Sequence, residues 1–265
     1  VKILLVLRSL IVTLLIFPLM TLVSSLVVLF LANLGSPLVN GVIQFWARSV
    51  CWLYGVTVKV YYPENIRDGG FLLLFNHSSF FDIFAISSVL PEIRFGAKIE
   101  LFKIPFFGSA MRAVGVIPIS REEREKSVQE LKNHEHKIAK GMRVALAPEG
   151  GRLGGEDFLA PFKSGPFYFA LSSGAAIQPV LIQGASLIWP KGSLTPAIKR
   201  WKSEIKLIFL PQISTSSYQI DQRNELKNAT FHAMDKTLKD WRQKEKQSYS
   251  SSSSSSSKFS SSSSS

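Results

Sequence analysis

Apolar and polar positions divide this chain into three textures. From Ser9 through Ala47 no Asp, Glu, Lys or Arg interrupts 39 consecutive positions. Residues 9–32 are mostly Leu, Ile, Val and Phe, and about 20 such residues cross the hydrocarbon core of a bilayer. Lys2 and Arg8 precede the run, and Pro18 predicts a kink in it. The run breaks at residues 33–37, resumes over 38–47 and closes at Arg48. Trp46, Trp52, Tyr54, Tyr61 and Tyr62 cluster about its end, amphipathic aromatics that suit the headgroup level. The segment is too long for a signal-peptide core and lacks an Ala-x-Ala-like cleavage site soon after it. These features predict a membrane anchor over 1–47. It is either one span followed by an interfacial segment or a helical hairpin within one leaflet; a buried pair of core helices is the soluble alternative.

Beyond Arg48 the texture changes to short β-rich runs alternating with helical patterns. Strands are expected at 56–62, 71–75, 115–119, 144–147, 177–182 and 205–210, and helices around 80–89, 106–112, 122–140 and 167–173. That alternation predicts an α/β domain over 48–247 with a mixed, largely parallel sheet and surrounding helices. Ligands of such sheets meet the loops at the carboxyl ends of the strands. Val128, Leu131, His134 and Ile138 recur at helical spacing, as do Leu226, Met234, Leu238 and Trp241 within 221–246, which predicts surface helices docked by one stripe. The third texture is 248–265, with 15 serines among 18 positions. Such a segment has no apolar face to bury, and an unstructured tail is the expectation.

Composition sharpens this outline. Hydrophobic residues make up 46% of the chain and charged ones 19%, below the usual quarter of a soluble domain. Intrinsic disorder is therefore excluded for most of the length. The net charge of +12 fits nucleic acid, or anionic membranes and phosphate substrates. With a hydrophobic anchor and no nucleic-acid module, membrane and phosphate are favoured. The single cysteine, Cys51, excludes an intrachain disulfide framework and a Cys-rich zinc site, and reads as a small apolar filler.

Candidate chemistry sits at strand ends. The strand at 71–75 runs directly into Asn76-His77-Ser78-Ser79-Phe80-Phe81-Asp82. A carboxylate five residues beyond a histidine, across a helix start, can accept the Nδ1 proton and leave Nε2 free as a base. Alone, the same residues also read as a serine-capped helix with a structural His–Asp bond. A second turn, Pro148-Glu149-Gly150-Gly151-Arg152, offers backbone amides that approach a ligand closely and a planar guanidinium suited to phosphate. A strand ending in Ser120-Arg121 and a Pro161-Phe162-Lys163-Ser164-Gly165 stretch add cations. Phe80, Phe81, Phe102, Phe106 and Phe107 supply either core or the lining of an acyl-chain groove. The pair His134 and His136 flanks Glu135 in a charged helix, where solvation rather than metal binding is expected, and no cofactor is implied.

In that order behind an apolar anchor, these motifs make the chain resemble the glycerolipid acyltransferases, typified by lysophosphatidate (1-acyl-sn-glycerol-3-phosphate) acyltransferases. The resemblance covers roughly 56–182. It implies that His77 and Asp82 are the catalytic dyad. It also implies that Glu149, Gly150, Gly151 and Arg152, with Arg121 and Lys163, bind the acceptor's glycerol phosphate. Ile177-Gln178-Pro179-Val180 looks like the family's fourth block. Gly151 stands where the family commonly has Thr, and Ser120 where Asp often precedes the arginine, departures that bear on acceptor identity. The implied donor is acyl-CoA or acyl-carrier protein, the implied acceptor a lysophospholipid in a phospholipid membrane. Glycerol-3-phosphate or another lysolipid is the alternative acceptor. A lipid ester or thioester hydrolase would need a placed nucleophile, and the chain has no Gly-x-Ser-x-Gly elbow. A non-catalytic lipid-binding protein is the third reading.

Overall fold

The structure, a computed structural model, describes residues 2–120, 122–193, 196 and 201–259. The chain starts with α1 (Lys2–Ile11) and α2 (Phe17–Asn33), joined by a π-type turn at Val12–Ile16 into one apolar rod. Pro18 explains the wide turn: it removes the amide that would bond the carbonyl of Leu14. Ile3–Asn33 is long and apolar enough to cross a membrane; its most apolar window has a mean hydropathy of 2.6, and only 11% of that window is buried. Most of that window's surface is thus left uncovered by the rest of the protein. After a turn at Gly35, α3 (Val39–Leu53) runs back along the rod, so the two segments form a hairpin. Three contacts fix the antiparallel register: Trp46 Nε1 donates to Thr21 Oγ1 (3.2 Å), Thr13 pairs with the Tyr54 hydroxyl (2.9 Å), and Arg8 donates to the Leu53 carbonyl (2.6 Å).

The remainder is built from β1 (Val56–Tyr61), β2 (Phe71–Phe75), α4 (Phe81–Val89), β3 (Arg94–Lys98), α5 (Phe107–Ala113), β4 (Ile117–Ile119), α6 (Arg124–Lys132), α7 (Glu135–Ala139), β5 (Val144–Leu146), α8 (Gly165–Ser173), β6 (Ala176–Gln183), α9 (Ala185–Ile188), β7 (Ser203–Phe209) and α10 (Arg223–Phe259). Among the described residues the strands form one sheet in the order β1-β7-β6-β2-β5-β3-β4. Every pairing is parallel except β6 with β7. The mixed, largely parallel sheet expected from the sequence is thus present.

Strand β2 shows why the domain has three layers. Phe71, Leu73 and Phe75 point into a core shared with Tyr54 of α3 and Phe81 and Phe84 of α4. Leu72 and Leu74 point the other way, into a core closed by α6, α7, α8 and α10. Both faces are covered, so the strand is apolar throughout, as central parallel strands are. The hairpin belongs to the first layer: Val12 is buried in that core, with Phe17 and Met20 packed against it.

Three sequence expectations change. The helix expected at 122–140 is two helices, because the chain turns at Asn133 and His134. Leu131, His134 and Ile138 are nonetheless buried, as the stripe requires. Strand β3 was not expected, since Arg94-Phe95-Gly96-Ala97-Lys98 holds one large apolar residue. Its neighbours β4 and β5 complete the ladder on both sides. Helix α10 continues to Phe259, into the serine run where an unstructured tail is expected, because extending a formed helix fixes one residue per added bond and skips the nucleation cost.

Candidate active site

Strands β2 and β5 lie side by side, and β6 flanks β2 on its other edge. The chain leaves all three at the same end of the sheet, where their loops converge. Asn76 locks that end: Nδ2 donates to the Ile182 carbonyl (3.0 Å) and Oδ1 accepts from the Ile182 amide (2.7 Å). His77 follows immediately and its loop cannot drift from β6.

Asp82 enters from the first turn of α4 and is 0% exposed. Its Oδ2 sits 2.8 Å from His77 Nδ1 and accepts the amides of Ser78 and Ser79, each at 2.8 Å. The carboxylate therefore closes the loop it also serves, and a negative charge at a helix N-terminus is itself favourable. With Nδ1 donating to Asp82, the His77 tautomer leaves Nε2 as the acceptor. The His77 side chain is 18% exposed, and Phe75 supports its ring edge-on at 5.5 Å between centroids. Ser79 Oγ accepts from the Phe81 amide (3.2 Å) and donates to the Trp189 carbonyl (2.9 Å), while the N-cap of α4 is Phe80, without a side-chain cap. Asp82 thus ties the loop amides and contacts His77 through the same oxygen.

His77 opens onto a cavity of about 930 Å³. One wall is β3 along its whole length, from Arg94 to Lys98. Thr21, Ser25 and Val28 of α2, Trp46 of α3 and Phe107, Ala110 and Met111 of α5 close it. Gly150, Gly151, Arg152 and Lys163 line it near His77. Gly150 has φ +77°, and a Cβ there would come within 3.4 Å of Lys163 Cγ, so glycine lets the two loops meet. The Lys163 amide donates to the Pro148 carbonyl (2.7 Å), holding the same pair together. Arg152 stacks its guanidinium 4.2 Å above the Phe80 ring.

Glu149 lies behind the cavity wall: it is 0% exposed and is not among the lining residues. Its Oε2 accepts the Gly154 amide at 2.6 Å. Burial raises its pKa to about 7, opposed by backbone hydrogen bonding from Gly154 and His77, while Asp82 raises it further. Glycine at 154 is required by the approach, since a Cβ would lie 2.7 Å from Oε2. Arg121 lies outside the described residues, although Ser120 before it lines the cavity. The fourth block sits in β6, where Gln178 is buried and donates to the Leu210 carbonyl (2.6 Å), a bond within the fold.

Of the five phenylalanines, Phe81 and Phe102 are core, Phe80 and Phe107 line the cavity, and Phe106 is half exposed with φ +60°. Sequence reasoning missed Lys98, which ends β3 and lines the cavity beside the other cations. Its signal was the lysine closing a Gly-Ala-Lys run, legible only once that run is known to be a strand.

The loops that converge at this end of the sheet thus set a His–Asp pair against the cavity. The family model described as Acyltransferase matches residues 57–183. The 1-acyl-sn-glycerol-3-phosphate acyltransferase of Escherichia coli K12 is 31% identical over 181 residues, 66% of this chain and 69% of that protein. The chloroplastic 1-acyl-sn-glycerol-3-phosphate acyltransferase BAT2 of Brassica napus is 36% identical over 118 residues, 44% of this chain. That match spans only 34% of the Brassica protein's length. The crystal structure of the 1-acyl-sn-glycerophosphate acyltransferase PlsC of Thermotoga maritima shares the fold, with a TM-score of 0.74 at 23% identity, covering 89% of this chain and 97% of that one. The chain belongs to the acyltransferase family.

Proposed function

We propose that this chain is a membrane-associated O-acyltransferase that moves a fatty acyl group from an acyl thioester to the hydroxyl of a lysophospholipid, with lysophosphatidate giving phosphatidate as the first choice. One observation carries the reading: the His77–Asp82 pair opens onto a cavity with apolar lining from Val28, Trp46, Phe95, Phe107 and Met111 and with Lys98, Arg152 and Lys163 in its walls. An acyl chain needs the first character and an acceptor phosphate the second. The names of the relatives in Escherichia coli and Brassica napus point the same way.

In the proposed reaction the acceptor hydroxyl gives its proton to His77 Nε2 while its oxygen attacks the thioester carbonyl carbon. Asp82 holds the ring and stabilises the imidazolium. The C–S bond of the tetrahedral intermediate then breaks, and His77 returns the proton to the leaving thiolate. The acceptor is the nucleophile, so no acyl-enzyme forms. Arg152, Lys163 and Lys98 hold the phosphate and place the hydroxyl near the base. A lysolipid panel assayed with acyl-CoA and acyl-carrier-protein donors tests the reading, with phosphatidate formation expected. Thioester loss without an acceptor would instead identify a hydrolase, and lysolipid binding without turnover a non-catalytic protein.

The hairpin is proposed to embed in the bilayer. Leu14 and Leu15 are each 66% exposed and Phe30 65%, a contiguous apolar surface costly in water. Removing residues 1–47 should weaken retention on phospholipid vesicles. It should also lower transfer, because Thr21, Ser25, Val28 and Trp46 wall the cavity. Co-sedimentation and turnover measured together check both effects. A full-length chain as soluble without detergent as the truncated one would overturn the membrane reading.

A further inference from the structure

The chain between β5 and α8 carries Gly150, Gly151, Arg152 and Lys163 to the cavity, yet it contains no helix or strand. Such a loop keeps one shape only where specific bonds tie it down. Two ties close it on itself: the Lys163 amide donates to the Pro148 carbonyl (2.7 Å), and the Gly154 amide donates to Glu149 Oε2 (2.6 Å). Glu156 reaches outside the loop. Its Oε2 accepts the Gly184 amide (2.7 Å), and its Oε1 accepts the Ser186 amide (3.1 Å) and the Ser186 hydroxyl (2.6 Å). Gly184 is the N-cap of α9 and Ser186 lies in its first turn, where amides have no partner within the helix. The carboxylate supplies that partner, through charge-assisted bonds roughly twice as strong as neutral ones.

The segment that Glu156 grips also holds the other half of the site. Asn76 pins the His77 loop to Ile182, and Ser79 donates to the Trp189 carbonyl just past α9. The Trp189 ring meets Phe80 edge-on at 5.7 Å between centroids, and Phe80 is the ring on which Arg152 stacks. The contacts form a closed circuit, from Glu156 through α9, Trp189 and Phe80 back to Arg152 in the loop where Glu156 sits. Glu156 itself is not among the residues that line the cavity. We propose that Glu156 is a positioning residue for the acceptor: by clasping α9 it sets the Arg152 loop against Trp189 and Phe80, and so fixes the guanidinium that receives the phosphate. The proposal deepens the acyltransferase reading and rests on it for what Arg152 binds. It also differs in sign from the effect of the charge. A carboxylate near the site repels a phosphate, so as a charge alone its removal would tighten acceptor binding. As a clasp, its removal loosens the arginine and weakens that binding.

The test uses the full chain in phospholipid vesicles with lysophosphatidate and palmitoyl-CoA. Glu156→Ala should raise acceptor KM by roughly 3- to 30-fold, no more than Arg152→Ala does, because the arginine is kept but misplaced. Donor KM and kcat should change little. Glu156→Gln keeps one accepting oxygen and should recover part of the loss although it lacks the charge. Ser186→Ala removes only the hydroxyl contact; it should give a smaller rise, and it tests the clasp if Glu156→Ala does not fold. In an Arg152→Ala background, Glu156→Ala should add nothing further to acceptor KM, since the two act through one contact. A lowered acceptor KM, equal rises for donor and acceptor, or full additivity with Arg152→Ala would each overturn the proposal. Lysophosphatidate binding in detergent micelles, measured without a donor, supplies an arm that needs no turnover: Glu156→Ala should raise Kd by the same factor as KM, and an unchanged Kd would overturn the clasp. If the parent binds lysophosphatidate and transfers no acyl group, the transfer reading fails while a Kd raised by Glu156→Ala supports the clasp.

Discussion

Substituting His77 by Ala should lower kcat for acyl transfer by roughly 10²–10⁴-fold, the contribution of a positioned general base. That is about 3–5 kcal/mol of barrier, converted at about 1.4 kcal/mol per decade. The structure explains why the loss should be confined to chemistry. His77 holds none of the loop's backbone bonds through its side chain. Ser78 and Ser79 are tied by Asp82, and the end of β2 is tied by Asn76 to Ile182. Vesicle retention and the thermal midpoint should therefore stay near those of the parent. Asp82→Asn should cost turnover less than or as much as His77→Ala. It should also lower the midpoint, because one oxygen now serves an imidazole and two amides, and a misoriented carboxamide would set an N–H₂ against them. Turnover, retention and melting measured on both variants check this. Near-normal turnover by a correctly inserted His77→Ala protein would remove the dyad from the mechanism.

What could be read from the amino-acid order, and what could not, follows from how far each residue's environment is local. Phe71–Phe75 announced itself as a buried strand because both of its faces are apolar, and the polar turn after it placed His77 and Asp82 together within a few residues. Hydrogen bonds that close within five positions are legible in one dimension. Strand β3 was hidden for the opposite reason. Gly96 is small because a Cβ would lie 2.3 Å from Leu146 Cδ2, a constraint imposed by a strand about fifty residues later in the chain. Missing β3 also meant missing Lys98, and with it one cation of the cavity. The burial of Glu149 is not visible in the sequence, because a carboxylate among glycines beside an arginine has the composition of an exposed turn. The residue follows a strand, β5, that is paired in parallel with β2, and no local pattern encodes that pairing. The antiparallel return of β7 on β6 is likewise a pairing between strands whose sequences read alike in either direction.

With Arg152 proposed to hold the acceptor's phosphate and His77 to act on its hydroxyl, variants at Arg152 test binding apart from chemistry. Its guanidinium lines the cavity with His77 and is braced on the face of Phe80 at 4.2 Å, a contact that fixes the plane of the fork. Losing one charge-assisted contact to a phosphate costs about 1.5–3 kcal/mol. Arg152→Ala should therefore raise the apparent KM for lysophosphatidate by roughly 10–100-fold, at about 1.4 kcal/mol per decade. The KM for the thioester donor should change much less, since the donor's reacting carbonyl is placed by the base and the apolar wall. Arg152→Lys should recover only part of the loss, because an ammonium keeps the charge but gives up the two-pronged geometry and the flat stacking surface. Phe80→Ala should show a smaller change of the same kind, raising acceptor KM by loosening the arginine while leaving its charge in place. An acceptor lacking phosphate supplies the internal control: its KM should be indifferent to Arg152→Ala. A turn arginine serving only the fold would shift the melting midpoint and affect both substrates alike. Separate acceptor and donor saturation curves decide between the two, and equal effects on both, or none on either, would remove Arg152 from the acceptor site.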